Sequence, residues 1–183
     1  DPDYKSAASA NCHLLFKITN DSFSYAIVEN NSDNVKVIFD QQGCDNVEKE
    51  LKNAFETDRH LAQNYSAIKA AIHTANFFLM QDEYFDEKNL SVYSKYLGAD
   101  QKIKSIPHTE FGFNTVFSLA AEIEEKLPQK TICFPQSEPL LALFNQMASD
   151  SILIDFTASS FNVLYILDKK LNFQNHYQTE NVE

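Results

Sequence analysis

Glycine sets the first limit on this chain. A sequence of 183 residues with average usage would carry about 13 glycines, whereas only Gly43, Gly98 and Gly112 occur here. Loops that wrap a phosphate in backbone N–H groups need closely spaced glycines, and no two here lie within ten residues of each other. Walker-type loops and dinucleotide fingerprints are therefore excluded.

Charge narrows the ligand classes further. Lys and Arg total 15 against 26 for Asp and Glu, a net charge of −11, so the field of the whole chain repels phosphate backbones and anionic lipid. Nucleic acid is not expected as a direct ligand. The longest apolar runs, Leu140 to Phe144 and Val163 to Leu167, fall far short of the ~20 residues that a membrane-spanning helix needs. The opening Asp1-Pro2-Asp3-Tyr4 shows neither a basic stretch nor a hydrophobic segment, so no secretory signal is read and the cytoplasm is the expected location.

Side-chain chemistry offers few sites. Cys12, Cys44 and Cys133 are odd in number and far apart, unlike a disulfide framework or a CxxC pair, and read as reduced, mostly buried thiols. The histidines His13, His60, His73, His108 and His176 form no HExxH and no i, i+4 pair, so no metal site is expected. The acidic cluster Asp82-Glu83-Tyr84-Phe85-Asp86-Glu87 reads as the start of a helix with Asp82 as N-cap, where negative charge complements the macrodipole. Glu122, Glu124 and Glu125 read as a solvated helix face. No residue is assigned a catalytic role.

Periodicity gives an α/β chain. Cys12 to Ile18, Ser22 to Glu29 and Asn34 to Asp40 alternate as three antiparallel strands, and a helix follows over Asn46 to Gln63, capped by Asp45 with Glu48 three residues on. Strands are predicted at Ser66 to Thr74, Phe77 to Met80 and Lys102 to Pro107, with one or two helices over Asp82 to Leu97 ended by Gly98. Phe113 to Phe117 is read as a strand feeding a helix from Ser118, which Pro128 stops; a strand at Lys130 to Phe134 and a helix within Pro135 to Ala148 come next. Ser151 to Thr157, Ser160 to Leu167 and Leu171 to Gln178 close the chain as a second meander, with turns at Ala158-Ser159 and Asp168-Lys169-Lys170. The two meanders share their order of elements without recognisable identity of sequence. The segments are 1–112, an inserted βαβα unit at 113–149, and the opening of a second half at 150–183, which stops at its third strand.

Two meanders with a small insert between them resemble the duplicated core of the actin-like ATPase superfamily, an RNase H-like βββαβα arrangement, and especially its bacterial cell-division and pilus-assembly homologues. The closest local match is Ile152-Leu153-Ile154-Asp155-Phe156-Thr157-Ala158-Ser159-Ser160-Phe161-Asn162-Val163, which resembles the second phosphate hairpin of that superfamily. Ile18-Thr19-Asn20-Asp21-Ser22-Phe23-Ser24-Tyr25 stands where the first would be. The segment Ile72 to Phe85 is similar to a bacterial family of unknown function with an actin-like ATPase fold, although Gln81 stands where many members have proline.

The resemblance implies phosphate-facing positions at Asp21, Ser22, Asp155, Thr157, Ser159 and Ser160. Neither turn holds the glycine that such hairpins use, and Asp21 would repel a triphosphate unless Mg²⁺ intervened. The expectation is a degenerate, non-hydrolysing member without a cofactor that acts as a protein-interaction scaffold, with self-association through an exposed sheet edge as one form of contact. The alternative is an ATP/Mg-binding ATPase with atypical hairpins, in which Asp155 orients a Mg²⁺-bound water and Thr157, Ser159 and Ser160 donate to phosphate. An RNase H-like nuclease would need Asp21, Glu29 and Asp155 to converge on metal.

Overall fold

The computed structural model describes residues 6–32, 34–97, 102–144, 146–147, 150–157, 160–168 and 170–179. It divides into two compact units, one of residues 1–73 and 120–134 and the other of residues 74–119 and 135–183. The chain therefore passes between them at three peptide bonds, after His73, Leu119 and Phe134.

In the first unit, β1 (Cys12–Ile18), β2 (Phe23–Glu29) and β3 (Val35–Gln41) form the expected antiparallel meander. Alternation is strict on β1, where Cys12, Leu14, Phe16 and Ile18 are buried and the residues between them half-buried. A helix, α1 (Val47–Thr57), then carries the chain back so that β4 (Ala67–Ile72) lies parallel to β1, the crossover that parallel pairing requires. With β8 (Ile132–Pro135) the sheet order is β3-β2-β1-β4-β8. α1 covers the face bearing Phe16 and Tyr25, and the Phe55 ring centroid lies 5.7 Å from that of Phe16.

α1 differs from its sequence reading at both ends. Its N-cap is Asn46, whose side chain accepts from Lys49 N–H at 2.8 Å, one residue later than the expected Asp45. It ends at Thr57, well before Gln63, because Asp58 turns extended and commits its carboxylate to the Tyr25 hydroxyl and to His60 N–H. Leu61 is buried in the turns beyond, which is how an apolar spacing that looks helical continues after the helix has stopped.

The second unit holds two three-stranded sheets. β5 (Phe77–Gln81), β6 (Lys104–His108) and β7 (Phe113–Phe117) pair antiparallel in the order β5-β7-β6. Every residue of β7 is buried: Val116 packs with Tyr93 and Leu97, while Phe113 packs with Leu141 and Leu164. The strand Phe113–Phe117 separates from a following helix as expected, but that helix, α3 (Ala121–Glu124) in the first unit, starts three residues later than Ser118 and is only one turn long; α4 (Glu138–Phe144) supplies Leu141 and Phe144 to the core. β9 (Ser151–Phe156), β10 (Ser160–Leu167) and β11 (Lys170–Gln178) form the closing meander in the order β11-β10-β9.

Residues 82–97 correct the expected helices. Two 3-10 segments, Asp82–Tyr84 and Glu87–Tyr93, are followed by a short α2 (Ser94–Leu97). Asp82 is not a cap, because its carboxylate accepts from Asn114 Nδ2 at 2.7 Å. Asp86 caps the next turn instead, and Asn89 breaks the helical path at φ −130° and ψ 43°. The apolar spacing is still satisfied, since Phe85, Leu90, Tyr93 and Leu97 pack in one cluster. Both Gly98 and the Ala158-Ser159 turn lie outside the described residues.

The closing meander leaves bare a face that its counterpart buries. Ile18 and Phe156 each end a strand just before the hairpin turn, yet Ile18 is 1% exposed and Phe156 67%. Ile152 and Ile154 share the exposed face with Phe156.

Tyr25 ties β2 to the end of α1 through Asp58, and burial, followed by the hydrogen bond to that carboxylate and by its charge, raises the tyrosine pKa well above its ordinary range. A raised folded-state pKa gives stability that is whole below the unfolded value of about 10 and is lost as pH rises above it. Tyr25→Phe is expected to cost about 1 kcal/mol near neutral pH, a fall in Tm of about 2–4 °C, and to flatten the alkaline limb of a Tm-against-pH series. An unchanged alkaline limb would remove Tyr25 as its source.

Candidate functional site

The two hairpins singled out in the sequence are built alike. In the first, Thr19 N–H donates to Ser22 C=O at 2.8 Å, and the hydroxyls of Thr19 and Ser22 lie 2.6 Å apart. In the second, Thr157 N–H donates to Ser160 C=O at 2.8 Å, and the two hydroxyls are 2.7 Å apart. Each threonine oxygen also lies within reach of the serine carbonyl, at 3.3 and 3.2 Å. The pattern corrects the expectation that the meanders share no sequence: Thr19-x-x-Ser22-Phe23 and Thr157-x-x-Ser160-Phe161 occupy the same place in both. Thr19, absent from the expected site residues, was legible from that repeat.

These clamps account for a turn without glycine. Among the described non-glycine residues only Asp168 has a positive φ, so Asn20 and Asp21 turn the chain in conformations open to any side chain. Glycine sits beside the turn instead. Gly43, at φ +66°, bends the chain after β3 so that Cys44 N–H donates to Asp21 C=O at 2.7 Å.

Around the first hairpin the charge is negative. A cavity of about 310 Å³ lies where the turn, the start of α1 and the end of β4 meet, lined among others by Thr19, Asn20, Asp45, Asn46, Glu48 and His73. No lysine or arginine lines it among the described residues. A helix N-terminus attracts anions, but Asn46 already occupies one α1 amide, and Glu48 and Glu50 fill the first turn with like charge. The Cys44 thiol responds to this field: burial, then the carboxylates of Glu50, Asp21 and Asp45, raise its pKa.

The expected site residues fall in separate units. Asp21 and Ser22 belong to the first, where Asp21 Oδ1 lies 2.9 Å from the Thr19 hydroxyl. With that proton given to the carboxylate, Ser22 must donate to Thr19 Oγ1, so the hydroxyls form a chain ending on Asp21. Asp155, Thr157 and Ser160 belong to the second unit; Asp155 is half-buried on β9 opposite Asn162, and Ser159 lies outside the described residues. Asp21 and Glu29 stand at opposite ends of β2, and Asp155 is in the other unit. The carboxylates of the first unit therefore do not converge as a metal-dependent nuclease requires. Among the described residues no group of three or more His, Cys, Asp or Glu side chains could hold a metal ion.

The threonine and serine hydroxyls are engaged with each other, the first hairpin is ringed by carboxylates, and the cavity beside it offers no cationic partner. The same field makes a measurable thiol. At pH 8, site-resolved mass spectrometry should find Cys44 alkylated by iodoacetamide more slowly than an unperturbed thiol, and Glu50→Gln should speed the reaction two- to fivefold, on the order of a few tenths of a pKa unit. Equal rates in both proteins would show that burial alone protects it.

No helix among the described residues is long and apolar enough to cross a membrane. None of the curated proteins compared matches the chain. Among solved structures, a Bacteroides thetaiotaomicron protein with an actin-like ATPase fold and unknown function superposes at a TM-score of 0.82 with 17% identity, covering 97% of this chain and 74% of that one. The PilM–PilN type IV pilus biogenesis complex gives 0.58 at 12% identity, covering 91% of this chain and 61% of that one. The cytoplasmic domain of Epsl, an inner membrane component of the type II secretion system of Vibrio cholerae, gives 0.53 at 7% identity, covering 91% and 71%. The fold is thus mixed α/β of the actin-like ATPase type. Its sequence matches over residues 1–183 the family described as Protein of unknown function (DUF3822), and the chain belongs to that family.

Proposed function

We propose that this chain is a non-hydrolysing actin-like scaffold that acts in the cytoplasm by binding another protein. The observation that carries the reading is the pair of glycine-free hairpins, each closed by a Thr–Ser hydroxyl clamp, with the first set among Asp21, Asp45 and Glu50. Phosphate hairpins work by aiming bare backbone N–H groups at an anion. Here side-chain oxygens close the turn, and the surrounding charge opposes a triphosphate. A neighbour in fold is itself part of a protein complex, PilM–PilN, which supports a protein partner.

Nucleotide decides between this reading and an atypical ATPase. A ligand that binds only the folded state raises Tm, by about 2.7 kcal/mol of added stability at a hundredfold excess over Kd. ATP or ADP at millimolar concentration, with and without Mg²⁺, is expected to leave Tm within about 1 °C, equivalent to less than about 0.5 kcal/mol. A clear Mg²⁺-dependent rise, abolished by Thr19→Val or Thr157→Val, would overturn the proposal and assign the duplicated hydroxyls to phosphate.

Self-association through the edges of the β9–β11 sheet belongs to the same reading, because β9 and β11 flank that sheet in the described residues. Light scattering should show a concentration-dependent increase in mass that a proline at Leu153 or Gln174 weakens. A monomer at all concentrations would reject it.

A further inference from the structure

The sheet of the closing meander presents one open apolar face. Strand pairing sets its side chains in three rungs across β9, β10 and β11: Phe156–Phe161–Tyr177, Ile154–Val163–Asn175 and Ile152–Tyr165–Phe173. The first rung is a ladder of rings, with the Phe161 centroid 5.7 Å from that of Phe156 and 5.1 Å from that of Tyr177. None of the rung residues is charged, and Lys170, opposite Leu167, lies at the rim.

The first meander shows that such a face is built to be covered. Counted back from the threonine of each clamp, Leu14, Phe16 and Ile18 hold on β1 the places that Ile152, Ile154 and Phe156 hold on β9. The three on β1 are buried and the three on β9 exposed. Those three, with Tyr165, Leu167, Phe173 and Tyr177, are each at least 36% exposed. A fully exposed aromatic side chain offers about 150–250 Å², so together they bare on the order of 600 Å². That reaches the upper end of the largest apolar patch on a typical monomer, about 300–600 Å². It also approaches the ~800 Å² that each partner gives to a stable interface.

Shape and charge point to what covers it. An antiparallel face packs well on another of its kind, with strands within about 30° of each other and sheets about 10 Å apart, and a second copy supplies such a face. The rungs suit a two-fold axis through the middle one, so that Val163 meets its copy and the ring-rich outer rungs meet each other. A chain of net charge −11 repels its copy at long range. Contact through uncharged rungs joins two copies without bringing carboxylates together.

We propose that this protein forms a two-fold dimer in which the β9–β11 faces of two copies pack together as a sheet sandwich. The contact is made by side chains on the face of the sheet, not by backbone groups at its edges, and it does not rest on the scaffold reading.

Sedimentation over about 1–500 µM protein tests it, a range that brackets a micromolar Kd. The mass is expected to rise from one copy to two and stop there. The rise should come at lower protein concentration in about 0.5 M than in about 0.05 M NaCl, because salt screens the repulsion between like-charged copies. Ile154→Asp, which would bury a carboxylate in the contact, should weaken dimerisation by at least about tenfold. Ile38→Asp, at an exposed isoleucine of β3, should leave it unchanged. β10 is flanked by a strand on each side, so face-to-face packing, and not edge pairing, brings Val163 near its copy. Val163→Cys, combined with Cys133→Ser to remove the half-buried native thiol, should therefore join two copies through a short bismaleimide. A monomer at every concentration would overturn the proposal and leave the face to a helix laid as α1 lies on the first meander. A dimer that withstands Ile154→Asp and does not cross-link at Val163→Cys would overturn it too. Should Ile154→Asp fail to fold by circular dichroism, the cross-link decides.

Discussion

The hydroxyl clamp between a threonine and the serine three residues on is the constraint on which both meanders rest. Each clamp fixes where one strand ends and the next begins, and a slip of a single residue would send every side chain of the strand to the opposite face. On β1 and β2 that would expose Phe16, Ile18, Phe23 and Tyr25 together. Most hairpins secure such turns with glycine or asparagine at positive φ; between β1 and β2 side-chain oxygens hold the turn while Asn20 and Asp21 keep ordinary backbone angles. The scarcity of glycine is therefore compatible with tight turns, and the described glycines, Gly43 and Gly112, lie at connections that need positive φ.

The same clamp shapes what the first hairpin offers to a ligand. In a phosphate loop, bare amides converge and positive potential accumulates. In this turn, a chain of hydroxyls ends on Asp21, while Asp45 and Glu50 add to the field that raises the Cys44 pKa. In a fold of the actin-like type, the turn between β1 and β2 thus carries negative charge. Shape and charge give separate information here, because a fold does not fix what its sites bind.

Much of the architecture was legible because burial on strands follows a period of two. β1, β2, β9 and β10 lie within a residue or so of their expected bounds, and the strand at Phe113–Phe117 separates from its following helix as the pattern suggested. Residues 82–97 were harder, since 3-10 turns and an α-helix place apolar residues at similar spacings, and only the long-range bond from Asn114 to Asp82 removes the cap. At the hairpins, Asp21, Ser22, Thr157 and Ser160 could be named from the sequence, whereas the bonds joining Thr19 to Ser22 could not. The repeated Thr-x-x-Ser-Phe was a usable signal. The buried set of Thr74, Gln136 and Asn162 left none, because its members come from three distant stretches of chain and touch only after folding.

Clamps that span three residues also bear on how the chain acquires its structure. Closing so short a loop forfeits little chain entropy, and an unfolded chain poor in glycine has less freedom to lose at each turn. Both hairpins can thus form on the microsecond scale of local structure. The parallel pairing of β1 with β4 joins residues 54 apart along the sequence, as in His13 with Ala67, and must wait for a much longer loop to close. Two turns written in the same five-residue pattern would then act as paired nuclei, one in each unit, with the slower crossover as the step that completes the first sheet.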